Sequence, residues 1–257
     1  MHSKYKSIYL SIIALLIVAV IINNCDSNDY NLTSTLFSNY EIQYGGGVTD
    51  IDGNFYQSVI IGKQEWMTEN LKTSQYRDGT IIPNVTSNTQ WTNLSSGAWA
   101  YYYNDESNHN SYGKLYNWFA VINNNGLCPD GWKVPDDDDW KQLERFLGMR
   151  EAEVYARAVN RGESQNIGGL VKSKGTEYWQ SPNRGATNES GFSGIPGGNR
   201  ISGGNFNNIS IHGFWWSSSE FNSSNAWYRL LNYNISGISR GSLDKRYGLS
   251  VRCLKIN

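Results

Sequence analysis

Three tryptophans and two arginines in the second half of the chain, Trp179, Trp216, Trp227, Arg200 and Arg229, are the residues best suited to recognition chemistry. An exposed indole stacks on the apolar face of a sugar, and a guanidinium beside it donates hydrogen bonds. Trp215 and Trp216 are consecutive, so in an alternating strand one faces inward and the other outward. A core or covered place for these rings is the competing account, and the same rule applies to Tyr101, Tyr102 and Tyr103. Catalytic sets are harder to assemble. Glu189, Glu220 and Asp244 are carboxylates of the kind that glycoside cleavage uses in pairs, but no spacing joins them. His2, His109 and His212 are the only histidines, and none has a metal partner or a nucleophile-elbow motif beside it. GFSGIPGGNR at 191–200 lacks the Gly-Lys-Ser/Thr and the strand–helix frame of a phosphate loop, so close backbone packing is expected there. Asp136–Asp139 lack calcium-loop spacing. These residues favour a non-enzymatic binding module, with no cofactor and no metal site, over a catalyst.

The elements that would position them begin with an export signal. Lys4 and Lys6 precede an uncharged run, Ile8 to Ile22, which as a helix spans roughly 22 Å. The hydrocarbon core is about 30 Å thick, so the run suits a signal-peptide apolar region better than a permanent span. It ends at Cys25, followed by Asp26, Ser27, Asn28 and Asp29, and this junction resembles the lipobox of bacterial lipoproteins. Residues 1–24 are therefore expected to be a signal peptide, with Cys25 as the lipidated first residue of the mature chain. The protein would then be lipid-anchored at the outer membrane or cell surface. An uncleaved anchor and simple secretion are the alternatives, and all three export the remainder.

Without Lys4 and Lys6 the exported part has 20 basic against 23 acidic residues, a net charge of −3, which gives no nucleic-acid surface. With Cys25 acylated, Cys128 and Cys253 remain. In an oxidising compartment an even pair forms a disulfide, and two free buried thiols are the other possibility. A bond would close a loop of about 125 residues, worth about 5 kcal/mol in the chain-entropy model.

Residues 25–47 are polar, end in three glycines and read as a flexible tether. A domain over 48–257 follows. A strand over Phe55–Ile61, a turn at Gly62-Lys63 and a return over Gln64–Met67 predict a β-hairpin. Trp99–Tyr103 alternates like a strand. Leu115, Trp118, Phe119 and Ile122 fall at helical spacing. The clearest helix starts at Asp136, a cap followed by acidic first-turn residues. Its apolar stripe is Trp140, Leu143, Phe146 and Leu147, and Gly148 stops it. A second short helix is expected within 150–165. Beyond Gly168 short strands are expected at Gly213–Ser218, Ala226–Asn232 and Leu249–Leu254. The class is α+β.

Seven ordered blocks resemble one family of exported bacterial domains, the Fibrobacter succinogenes major paralogous domain. They are TDIDGNFYQSVIIGKQEWMTENL (49–71), YRDGTIIP (76–83), YGKLYNWFAV (112–121), LCPDGWKVPDDDDWKQL (127–143), ESGFSGIPGGNR (189–200), FWWSSSE (214–220) and YGLSVRCLK (247–255). More distantly, Val134-Pro135…Trp140 and Val251-Arg252-Cys253 are similar to blocks of formylglycine-generating enzyme domains. That likeness implies a C-type-lectin-like fold with short twisted antiparallel sheets and two or three helices. It does not carry the oxidase chemistry, because residues 214–250 contain no cysteine. Nor does it carry calcium-dependent sugar binding, because Glu-Pro-Asn and Trp-Asn-Asp are missing. The expectation is a surface domain that binds polysaccharide or glycoprotein. An enzyme on a formylglycine-generating-enzyme-like scaffold with an unrecognised site is the alternative, and so is a purely structural envelope protein.

Overall fold

The computed structural model describes residues 41–157 and 159–256. The signal peptide, Cys25 and most of the tether lie outside the described residues. The tether's last residues belong to the domain. β1 (Gln43–Tyr44) pairs antiparallel with β4 (Ser58–Ile61), and Gly45 N donates to Ser58 O at 2.9 Å. This edge pairing gives the backbone partners that the polar sequence did not advertise.

The hairpin forms where its turn chemistry places it. β4 pairs with β5 (Gln64–Met67), Ile61 opposite Gln64, across Gly62 at φ +64°. That left-handed conformation suits glycine, and a Cβ there would also strike the Phe146 ring at 2.7 Å. The expected long strand is broken at Gln57. Its first part, β3 (Phe55–Tyr56), pairs instead with β2 (Val48–Thr49).

Two five-stranded sheets carry the domain. The first has the order β1-β4-β5-β14-β8, in which the C-terminal β14 (Leu254–Lys255) lies between β5 and β8 (Trp132–Lys133). Cys128 and Cys253 form a disulfide with a Cα–Cα distance of 6.0 Å. The second sheet has the order β10-β9-β11-β12-β13. It comprises β9 (Gly197–Arg200), β10 (Phe206–Ile209), β11 (His212–Glu220), β12 (Asn225–Asn232) and β13 (Ser239–Asp244). Only the β9–β11 contact within it is parallel. β6 (Trp99–Ala100) and β7 (Leu115–Tyr116) form a small ribbon.

Six short α-helices, not two or three, occur among the described residues: α1 (Asn88–Thr92), α2 (Asn108–Tyr112), α3 (Trp118–Val121), α4 (Asp137–Phe146), α5 (Glu151–Val154) and α6 (Ile167–Val171). The mixed α+β class stands. Helix α4 has the expected start: Asp136 accepts from Asp138 N and Asp139 N, and the Asp139 carboxylate accepts from Asp136 N. Trp140, Leu143 and Leu147 are buried, but Phe146 is exposed and lies over the Gly62 turn instead. The helix expected across 112–122 is shorter. Gly113 breaks it at φ +72°, Leu115–Tyr116 become a strand, and the buried Asn117 side chain caps α3 by accepting from Ala120 N. The strand expected at Trp99–Tyr103 stops at Ala100 and gives way to a 3-10 turn over Tyr102–Asn104.

Trp66, Trp140, Phe192 and Trp215 interlock at the centre, with ring centroids 4.9–6.0 Å apart. They tie α4 to both sheets and to the 191–200 segment. Close packing in that segment is real: at Gly198, φ +65°, a Cβ would lie 2.6 Å from Asn207 O.

Candidate functional site

None of the five expected recognition residues forms an open surface. Trp179 and Trp216 are fully buried, and Arg200 and Arg229 are 0 % exposed, so all four are corrected to interior positions. The physical reason is that each finds internal partners. Trp216 Nε1 donates to Tyr116 O at 2.8 Å, and Trp179 Nε1 donates to Ser173 Oγ and Gly194 O at 3.1 Å. The Arg200 guanidinium lies 4.2 Å from the Trp91 ring centroid and donates to the carbonyls of Val85, Thr86 and Gly204. Trp227 is half-buried, with Arg240 stacked 3.6 Å from its centroid and Phe221 edge-on at 4.8 Å.

Arg229 belongs to a buried ion network. It donates to Glu144 Oε1 and to Asp137 Oδ1; Arg161 also holds Glu144, and Arg240 and Lys141 hold Asp137. Burial pushes the Asp137 carboxyl up, but the Arg240, Arg229 and Lys141 contacts outweigh it and hold the group well below the usual carboxylate range. A carboxylate depressed in the folded state contributes stability that is complete above its unfolded value, about 3.9, and is lost as pH falls from there through the folded value. The melting temperature should therefore drop steeply below about pH 4, and Asp137→Asn should flatten that limb. Parallel melting curves for the two proteins between pH 2 and 4, read by calorimetry, would contradict this role.

A groove of about 240 Å³ opens elsewhere. The chain leaving β5 supplies one wall, with Thr68, Glu69, Asn70 and Lys72, and the end of α2 supplies Asn110 and Ser111. The chain after α6 adds Ser173 and Tyr178, and Ser193 and Ile195 come from the glycine-rich segment. Tyr178 is half-buried, its ring edge-on to Tyr112 with centroids 5.9 Å apart. It stands one residue from Trp179, which is turned inward to back Ser173. Of this adjacent pair, Tyr178 lines the groove and Trp179 is interior. The two rings lie in a bend outside any strand, where nothing local sets which of them turns inside.

Asn70 forms the floor. Its amide nitrogen donates to Tyr112 O and Ser250 Oγ, and its oxygen accepts from Trp215 Nε1 and Arg252 Nη2. Four hydrogen bonds lock that side chain in place. Glu69 and Lys72 are paired at 2.6 Å on the rim, so the lining holds one carboxylate and one ammonium. Glu189, Glu220 and Asp244 line no part of the groove. Glu220 faces Lys245, and Asp244 faces Arg246.

A larger cavity of about 400 Å³ lies beside the disulfide, lined by Asp50, Thr73, Arg77, Leu127 and Pro129 among others. Its buried carboxylate is already occupied: Asp50 accepts from Asp52 N, Asn54 N, Asn54 Nδ2 and Tyr56 Oη. His109 and His212 are held below their usual pKa by burial, and His212 contacts Asn232 Nδ2 through Nε2 at 2.9 Å. Among the described residues no three His, Cys, Asp or Glu side chains form a metal-holding group.

Fold and groove together define a small-sheet α+β domain with a tyrosine-walled surface cleft. The chain belongs to the Fibrobacter succinogenes major domain family, whose model matches residues 59–255. No curated protein and no solved structure matches it.

Proposed function

We propose that this domain is a non-enzymatic saccharide-binding module and that the Tyr178 groove is its binding site. The observation that carries the proposal is the lining itself. Hydroxyls from Thr68, Ser111, Ser173 and Ser193 and the amide of Asn110 surround a single aromatic ring. Sugars offer a matching surface, hydroxyls around the edge and an apolar ring face for stacking. Glycoside cleavage needs two carboxyl groups across the bond, and the groove supplies only Glu69, which is held by Lys72. A C-type-lectin-like fold, anchoring through a lipid on Cys25 and display at the outer membrane or cell surface belong to the same reading. A bound polysaccharide or glycoprotein then lies outside the cell, where an exported domain meets it.

A glycan array probed with the full chain tests this. Tyr178→Ala should weaken retention of the bound glycan about tenfold or more, at the loss of one stacking contact and its buried area. Its melting temperature should stay near that of the parent, because the ring lies on the surface side. Recognition by hydroxyls, an amide and a ring needs no cation, so retention should be unchanged by EDTA. Retention abolished by EDTA, or a Tyr178→Ala variant that binds every glycan as the parent does, would overturn the proposal.

A further inference from the structure

One buried cation contacts the residues of the groove from behind, and a second sits on the residue next to its Ser173 wall. Arg252 is 0 % exposed and donates to Ser193 O and to Asn70 Oδ1, both from residues that line the cleft, and also to Phe192 O. Its Nε has no hydrogen-bond partner. Lys172, equally buried, immediately precedes the groove residue Ser173. Its ammonium donates to the carbonyls of Arg184, Asn232 and Ile235 and lies 5.6 Å from the centroid of Trp179, the ring that donates to Ser173 Oγ.

Every acceptor on these two cations is neutral, either a backbone carbonyl or an amide. Carbonyl dipoles solvate a charge without cancelling it, and its field persists through the poorly polarisable interior to the nearest surface. Burial lowers the Lys172 ammonium to about 8 and the Arg252 guanidinium to about 9, so both are charged at neutral pH. On the rim, Glu69 pairs with Lys72 and also offsets part of the Arg252 charge, so three cations face one anion. The cleft is thus a locally positive site on a chain whose overall net charge is −1.

We infer that the ligand of the groove is an anionic saccharide, one bearing uronate carboxylates or sulfate esters, drawn by the charges of Arg252 beneath the floor and of Lys172 behind the Ser173 wall and met at the rim by Lys72. This rests on the saccharide-binding reading of the same cleft. The rim also predicts an unusual gain: Glu69 is the one anion an incoming acidic sugar must face, and removing its charge leaves Lys72 available to that sugar.

Dextran, carboxymethyl-dextran and dextran sulfate share a backbone and differ in charge. Binding of the full chain in detergent to each, at about 0.15 M salt, where exposed charges more than about 8 Å apart are screened, separates the cases. At least one charged polymer should be held about tenfold more tightly than dextran, and which of them is held separates uronate from sulfate recognition. Lys72→Met should weaken that binding about fivefold and Glu69→Gln should tighten it by a similar factor. Arg157→Gln, on the distant Phe221–Trp227 face, should change nothing. Equal binding to all three polymers, or loss that follows Arg157 and ignores Lys72 and Glu69, overturns the inference. If neutral oligosaccharides bind in a Tyr178-dependent way with no preference for charge, the groove stands and its anionic ligand does not. If no saccharide of either kind binds in a Tyr178-dependent way, the site itself is wrong.

Discussion

Glu144→Gln should lower the stability of the domain by about 3–5 kcal/mol, the range for removing one partner of a buried ion pair. Glu144 is 0 % exposed and accepts from Arg161 at 2.7 and 3.0 Å and from Arg229 at 2.5 Å. The amide keeps the shape and loses the charge, so two guanidiniums are left in the interior with less than they need. Their own desolvation then opposes folding. The network joins α4, β12 and the chain after α5, so the loss is global and cannot be relieved by one loop moving. At about 2–4 °C per kcal/mol for a domain this size, the melting temperature falls by about 10 °C. Urea unfolding of parent and variant measures the difference directly. A midpoint within experimental error of the parent would mean that the network contributes nothing net. Replacing Glu144, Arg161 and Arg229 together by apolar residues should cost less than Glu144→Gln alone, since no orphaned charge remains.

Opening the disulfide should have the second large effect. Cys128 and Cys253 are both buried and enclose a separation of 125 residues. Cys253 immediately precedes β14, the strand that lies between β5 and β8. The double variant Cys128→Ser/Cys253→Ser should therefore lose about 2–5 kcal/mol, mostly because the unfolded chain gains freedom. The loss should appear as a lower urea midpoint, with the C-terminal residues gaining hydrogen exchange first. Unchanged midpoints with and without a reducing agent would contradict it.

What could be read from residues alone follows the range of the interaction. The hairpin at 58–67 and the start of α4 depend on neighbours a few positions apart, and turn and cap chemistry announce them. The pairing of Cys128 with Cys253 followed from arithmetic once Cys25 was set aside, although Cys25 itself lies outside the described residues. Strands β9, β10 and β13 escaped. Ser-Arg-Gly-Ser-Leu-Asp at 239–244 has no strand-like alternation, and it pairs because β12 offers it an edge. Arg229 looked like a ligand donor because charged residues are rarely buried unpaired. Its partners, Glu144 and Asp137, lie 85 and 92 positions away and are invisible to local reasoning. None of the five residues singled out from the sequence lines the groove, although Trp179 adjoins it. Tyr178 and Trp179 are adjacent aromatics, and only the tertiary contacts of Trp179 with Ser173 and Gly194 decide which ring turns in. Asn70 and Arg252 gave no signal of a cleft, since their roles there arise from a hydrogen bond across 182 positions.

The central claim is that ligand sits in the Tyr178 groove, and hydrogen-exchange mass spectrometry of the full chain with and without a bound glycan tests it most directly. Exchange should slow in the peptides covering 68–72, 110–113, 173–178 and 193–195, which are far apart in sequence and meet only at this cleft. Slowing confined to the 221–229 and 240–244 peptides around Trp227, or no slowing in any of the four groove segments while glycan is bound, would contradict it.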